Sequence, residues 1–394
     1  VVRRSVYLDH AATTSLRPEA AAAWLQVATE IGNPSSLHAP GRAARRIVEE
    51  SRESVAAAMG VRPSEIIFTA GGTEADNLAI KGLAWGNSPR RALVCSPIEH
   101  HAVLDPVEWL VQHQGFEVRY SAVDDRGRVD LQSLEALLDD NVAVCSVMWA
   151  NNEMGTVQPV GAIAAMCGER GIAYHCDAVQ ALGMIPMRLP LPGLTALTLS
   201  GHKIGAPVGV GALIADRDAA ISPLLHGGGQ ERDIRSGTVD AAGIAAFAVA
   251  VQCAVAEQEE LARRLIHLRT VLVEGLLTLF PDAMLQGDPG TGFDDRLPGN
   301  VSVTFAGCEG DALLMLLDAA GISCSTGSAC TSGVPEPSHV LLAMGVDPRT
   351  ARGTLRFSLG RESTMDDVET LLEVLPSVVE RARRAGRPRL LSRS

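Results

Sequence analysis

Short apolar runs recur through the first half of the chain: EIIFTA (65–70), RALVCS (91–96), VAVCSVMWA (142–150), IAYHCDA (172–178), LTALTLS (194–200) and VGALIA (210–215). Each is too short for a helix and rich in aliphatic and β-branched residues, so each predicts a strand. Helical spacing fills several of the intervals, as in TEADNLAIKGLAW and VGAIAAMCGERG. Strand and helix in alternation predict an α/β fold with a mostly parallel, mixed sheet covered on both faces.

From about residue 240 the pattern changes. A long helical region runs to about 280, broken only by charged patches. It is followed by NVSVTFAG (300–307), a helix DALLMLLDAAG, TLRFSLG (354–360) and a closing helix DDVETLLEVLPSVVERARR. This predicts a smaller α+β domain. We expect the large domain at 15–260 and the small one at 1–14 and 261–394. The opening SVYLDHAATT reads as an extended arm with no local partner.

The length, 394 residues, suits two such units. Net charge is −12, which argues against broad binding of nucleic acid or an anionic membrane. The local exception is RARRAGRPRLLSRS (381–394), read either as a solvated, frayed tail or as a docking tail. The most membrane-like stretch, AAGIAAFAVAVQCAVA (241–256), is short of a span and interrupted by Gln252, so a buried helix is expected. The first residues lack the apolar core of a signal peptide, and the protein is expected in the cytoplasm. The eight cysteines form no CxxC pair. Neither a disulfide framework nor a metal site is expected, and Cys145, Cys176 and Cys253 read as small core residues.

In parallel sheets, ligands bind beyond the carboxyl ends of the strands, so the residues just after each strand matter most. After EIIFTA comes GGTEADNLAI. Gly71 and Gly72 let backbone approach a ligand, and Thr73 can cap the helix together with Asp76, leaving either an anion cradle or an ordinary capped turn. After RALVCSPI come Glu99, His100 and His101; a histidine here is a ligand, an aromatic platform or a surface residue. Asn151 and Asn152 follow VAVCSVMWA, either to bond a ligand or to shape a turn. Asp177 and Gln180 follow IAYHC, and a carboxylate there needs something positive beside it. Lys203 follows LTALTLSGH. Partial burial would free its amine as nucleophile and base; the alternative is a lysine reaching for solvent. Together these form an anion cradle, a ring platform, an amide, a buried carboxylate and a nucleophilic lysine at one sheet edge. That set meets the needs of pyridoxal phosphate. Separately, STGSACTSG (325–333) favours neither helix nor strand and places one thiol, Cys330, on a loop expected to move.

The segments YLDHAATT, GNPSSLH, GGTEADNLAIKG, EHHAVL, NNEMGTVQP, HCDAVQ, SGHK, GGGQERDIRSGT, STGSACTS and LRFSLG resemble, in order, the pyridoxal-phosphate-dependent cysteine desulfurases of the IscS/NifS type, from Tyr7 to about Val379. The resemblance implies a fold-type-I transferase working as a homodimer on L-cysteine, with sulfur-acceptor proteins such as an iron–sulfur scaffold as partners. It implies that Lys203 carries the cofactor, His100 stacks on its ring, Asp177 pairs with the ring nitrogen and Gln180 bonds the ring hydroxyl. Gly72, Thr73, Ser200 and His202 would hold the phosphate, with Thr238 from the other subunit. Asn152, Arg356 and Asn33 would position the substrate, and Cys330 would accept its sulfur. Cys324 is the competing thiol, expected to be buried at the end of a strand. A selenocysteine lyase, another fold-type-I enzyme and a non-enzymatic sulfur-presenting scaffold are the alternatives. GHKIGAPVG lacks the tyrosine or lysine that many relatives carry there, and altered loop packing is expected.

Overall fold

The computed structural model describes residues 5–327 and 337–385. Seven strands form its central sheet, in spatial order Ile66–Thr69, Gly211–Ala215, Ala196–Ser200, Ala173–Asp177, Val142–Ser146, Ala92–Cys95 and Glu117–Tyr120. Gly211–Ala215 runs antiparallel to both neighbours, and the other pairings are parallel. All six strands expected in this half are present. Glu117–Tyr120 was not expected: its sequence, EVRY, is polar and lies at the partly exposed sheet edge, where no face demands an apolar run. The first strand, at one edge, is followed by helix Gly72–Gly86, which crosses the sheet to reach Ala92–Cys95 near the other edge. The carboxyl ends of the parallel strands therefore gather on one rim.

A second, antiparallel sheet has the order Ser325–Thr326, Thr354–Ser358, Asn300–Thr304, Met284–Gln286. The STGSACTSG run thus begins as a strand, because Ser325 and Thr326 pair with Arg356 and Leu355. The amino-terminal arm has partners after all. Val6–Tyr7 pairs in parallel with Ile322–Ser323, and Asp9 bridges to Ser358. These contacts span more than three hundred residues of sequence, which is why local pattern could not find them.

The region from 240 to 280 is one unbroken helix, Ala241–Leu279, opened by the Asp240 carboxylate accepting from Gly243 N at 3.0 Å. Its charged patch faces solvent and interrupts nothing. By length and composition this helix could cross a membrane. Its apolar half instead packs into the core beside the central sheet through Ile244, Ala246, Phe247, Ala250 and Val251. Its second half, Leu261 to Leu276, packs with Val6, Leu8, Phe305, Phe357 and Leu375 in a separate core. Cys145 and Cys176 are core residues as expected, whereas Cys253 is only half-buried, on the helix side turned toward solvent. The arginine-rich end is not frayed from its start. Arg381 to Ala385 complete helix Met365–Ala385, and Arg383 pairs with Asp282 at 2.6 Å; the remainder lies outside the described residues.

Leu8 fastens the arm and is fully buried in the second core. Replacing it with alanine should cost about 2–5 kcal/mol and release the arm, read as a lower urea midpoint and faster proteolysis before residue 15. An unchanged midpoint would show that the arm contributes nothing to this core.

Candidate functional site

Strand Ala196–Ser200 runs into the tight turn Gly201–Lys203, which places Lys203 at the ligand-binding rim. Lys203 Nζ donates to the carbonyls of Ala11 (2.6 Å) and Ala12 (2.7 Å). Gln180 Nε2 donates to the same Ala11 carbonyl at 3.0 Å, and the His202 ring meets Thr13 Oγ1 at 3.2 Å. Three expected site residues from two loops thus converge on the arm. Burial, with the Lys203 charge beside it, pushes His202 down to about 4.

Asp177 ends its strand buried, with Oδ1 accepting from Val179 N at 2.8 Å. Desolvation, reinforced by the nearby Asp76 carboxyl, pushes it up to about 7, against a pull downward from His175 and Lys203. His100 caps helix His101–Gln114, its Nδ1 accepting from Ala102 N at 3.1 Å. Burial and the Lys203 charge lower it to about 4, so at neutral pH it presents an uncharged ring.

The GGT turn differs from expectation. The helix starts at Gly72 with Gly71 as its cap, at a φ of 146° that favours glycine, and no side chain caps it. Thr73 is exposed within the first turn, and Asp76 points inward instead of back to Thr73. The anion-cradle reading of the turn survives without the capping. A Cβ on Gly72 would lie 3.0 Å from Val179 Cγ2 and 3.3 Å from Ser200 Cβ, so Gly72 brings the helix N-terminus against the buried Ser200.

Arg356, on strand Thr354–Ser358, is buried. Its Nη1 donates to the Asn152 carbonyl and its Nη2 to Asp9 Oδ1, each at 2.9 Å, while Nε has no partner among the described residues. Asn151 shapes the turn: its amide donates to the Ile98 carbonyl and its oxygen accepts from Glu153 and Met154 N. Asn152 meets Arg356 through its backbone. Asn33 and Thr238 are exposed and are not brought to this cluster by any described contact. Asn33 Oδ1 accepts from Ser35 N at 2.9 Å in a local turn, and Arg235, ahead of Thr238, pairs with Glu74 at 2.6 Å. Cys330 lies outside the described residues. Cys324 is buried and pushed up to about 12, a poor nucleophile. In the GHKIGAPVG stretch Ile204 and Ala206 are buried and Val208 is exposed.

Several polar residues of the site were not anticipated. Asp9 pairs with Arg356. His175 lies buried two residues before Asp177 and therefore on the same sheet face. It contacts Ser146 Oγ at 2.9 Å, Thr198 Oγ1 at 3.0 Å and Asp76 Oδ1 at 3.4 Å. The Glu153 carboxylate accepts from Ser338 Oγ. For His175 the signal was available, because an i, i+2 His–Asp pair in an apolar strand shares one face. For Asp9 there was none, since its partner is 347 residues away.

The chain matches the aminotransferase class-V family over residues 6–371. It is 54% identical over 388 residues to an IscS-like cysteine desulfurase of Mycobacterium tuberculosis, covering 96% of this chain and 98% of the relative. To the cysteine desulfurase IscS of Methanosarcina thermophila it is 45% identical, covering 96% and 93%. Among solved structures it is similar to a NifS-like protein, with TM-score 0.87 and 38% identity over 96% of this chain and 99% of that one. It is also similar to SspA in complex with cysteine, with TM-score 0.77 and 32% identity over 90% and 99%.

A carboxyl raised by folding binds more protons in the folded than in the unfolded state, so its contribution to stability falls as pH rises from its unfolded value to its folded one. For Asp177 that window is about pH 4 to about 7. In cofactor-free protein, Asp177→Asn should therefore gain urea stability relative to wild type as pH rises through this window. A difference that stays constant with pH would contradict the burial of this charge.

Proposed function

The chain belongs to the aminotransferase class-V family, and from that premise we propose how its residues divide the work of a cysteine desulfurase. The enzyme depends on pyridoxal phosphate, has the fold-type-I architecture, converts L-cysteine into L-alanine and passes the sulfur on as a persulfide.

Two observations support the fit of the cofactor to these residues. Asp177 is buried with its charge uncompensated by any close ion pair among the described residues, a cost that a cationic ring nitrogen offsets. Gly72 lets a helix N-terminus suited to a phosphate pack against the buried Ser200, and beside it a Cβ on Gly71 would meet nothing within 4 Å. In our reading Gly72, Thr73, Ser200 and His202 hold the phosphate, His100 lies against the ring, Gln180 bonds its hydroxyl and Lys203 bonds its aldehyde carbon.

When bound, the cofactor supplies an electron sink that acidifies the substrate α-carbon. The protein's residues do the rest. Arg356, fixed by Asp9 and the Asn152 carbonyl, offers its remaining donors to the substrate carboxylate. Lys203 Nζ, displaced by the substrate amine and no longer held by the Ala11 and Ala12 carbonyls, takes the α-proton. The Cys330 thiolate then attacks the substrate sulfur. A sulfur–sulfur bond forms, the carbon–sulfur bond breaks with its electron pair left on the β-carbon, that carbon takes a proton, and return of the α-proton from Lys203 yields alanine.

The observation that carries this reading is Lys203 at the end of a buried strand, within electrostatic reach of both Asp177 and His100. We also propose a homodimer in the cytoplasm that gives its sulfur to acceptor proteins such as an iron–sulfur scaffold. The dimer is supported by the exposed Thr238, Ile31, Leu37 and Val208. The acceptor is supported by the names of the IscS relatives, and the compartment by seven free thiols among the described residues.

Cys330→Ala should abolish sulfide release from L-cysteine while leaving the cofactor's visible absorbance intact, and Cys324→Ala should retain sulfide release. Loss of activity in the Cys324 variant instead would transfer the sulfur-accepting role to that residue.

A further inference from the structure

Arg356 carries five N–H donors in one rigid plane. Two are pinned from different directions: one on Nη1 by the Asn152 carbonyl, one on Nη2 by the Asp9 carboxylate. Nε is buried and has no partner among the described residues. A buried donor without an acceptor is destabilising, and an incoming carboxylate relieves it. The Asp9 side chain is 20% exposed, against 6% for Arg356, so the pair sits at the open margin of the site with its cation on the inner side.

Asp9 belongs to the segment that also holds Lys203. Its own carbonyl accepts from Ala12 N at 3.0 Å, closing a turn that presents the Ala11 and Ala12 carbonyls to Nζ. The turn is braced from outside. Tyr7 Oη donates to the Asp9 and Thr13 carbonyls, His10 N donates to the Ser358 carbonyl and Ala11 N to Ser358 Oγ. Ser358 lies two residues from Arg356 on the same strand. One turn of four residues, 9–12, therefore spans the fixed interval between the guanidinium and the amine.

We propose that Asp9 is a positioning residue for substrate selection: through its ion pair it fixes Arg356 so that the free edge of the guanidinium meets the carboxylate of an α-amino acid at a set distance from Lys203. This rests on the reading of Arg356 as the carboxylate clamp. The charge of Asp9 does not repel the substrate carboxylate away, because Arg356 lies between them as the nearer partner. Asp9 acts on ligands that carry a carboxylate and is indifferent to those that do not.

The test compares wild type and Asp9→Asn, both loaded with cofactor. KM and kcat are measured for L-cysteine, and affinities are titrated by absorbance for L-alanine and for ethylamine, the same skeleton without the carboxylate. Asp9→Asn should raise the KM for L-cysteine and weaken L-alanine by roughly ten- to a hundredfold, the range for a lost hydrogen bond to a charged group. Its kcat should change much less, and ethylamine should bind equally to both proteins. An equal loss for alanine and ethylamine, or no loss for either, would overturn the proposal in favour of a merely structural arm. Should the asparagine variant fail to retain cofactor, Asp9→Glu keeps the charge on a longer stem. It should weaken L-alanine and leave ethylamine unchanged, and equal effects on both would again overturn the proposal. If wild type itself binds ethylamine as tightly as L-alanine, it is the clamp reading of Arg356 that fails, whatever Asp9 does.

Discussion

The site depends on a lysine held by backbone. Lys203 comes off the end of one strand of the large sheet, and its amine is held by two carbonyls of an arm that is itself stitched to the other sheet. Neither half of the molecule could set this geometry alone. The arm has only short strand pairing of its own, and its position is imposed by Val6 and Leu8 in one core and by Ser358 across the strand edge. Two carbonyl oxygens satisfy an ammonium group without neutralising it. These two contacts hold the amine at a fixed place on the rim.

The second constraint is charge without water. Asp76, Glu99, Asp177 and Glu153 are all buried, and desolvation raises each of them. His100, His175 and His202 are lowered for the same reason. The rim of the sheet is thus a region where groups that are ionised in water tend toward neutrality. A bound cation or anion there meets strong, poorly screened fields. That is an environment suited to a cofactor carrying both a cationic ring nitrogen and an anionic phosphate.

The sequence revealed the strands of the central sheet because they are buried on both faces and read as continuous apolar runs. It revealed the residues after them because a parallel sheet collects its strand ends on one rim. The placement of Lys203, Asp177, Gln180, His100 and Ser200 at strand ends was legible for that reason. What was not legible depended on distance along the chain. The partner of the arm, the Asp9–Arg356 pair and the shared anchoring of Lys203 and Gln180 on Ala11 all join residues far apart in sequence. Thr73 was misread as a cap because the motif for a capping box was present. The chain instead starts its helix two residues earlier on a glycine pair and turns Asp76 toward His175. The polar edge strand Glu117–Tyr120 escaped because strand pattern is written by burial, and an edge has little.

The most direct test of the account is to reduce the cofactor-loaded enzyme with borohydride and map the pyridoxyl label by mass spectrometry of its peptides. A single label on Lys203, lost in Lys203→Ala, is the expected result. A label on Lys81, or none in protein that retains the cofactor's colour, would contradict the assignment of Lys203 and with it the organisation of the site around the arm.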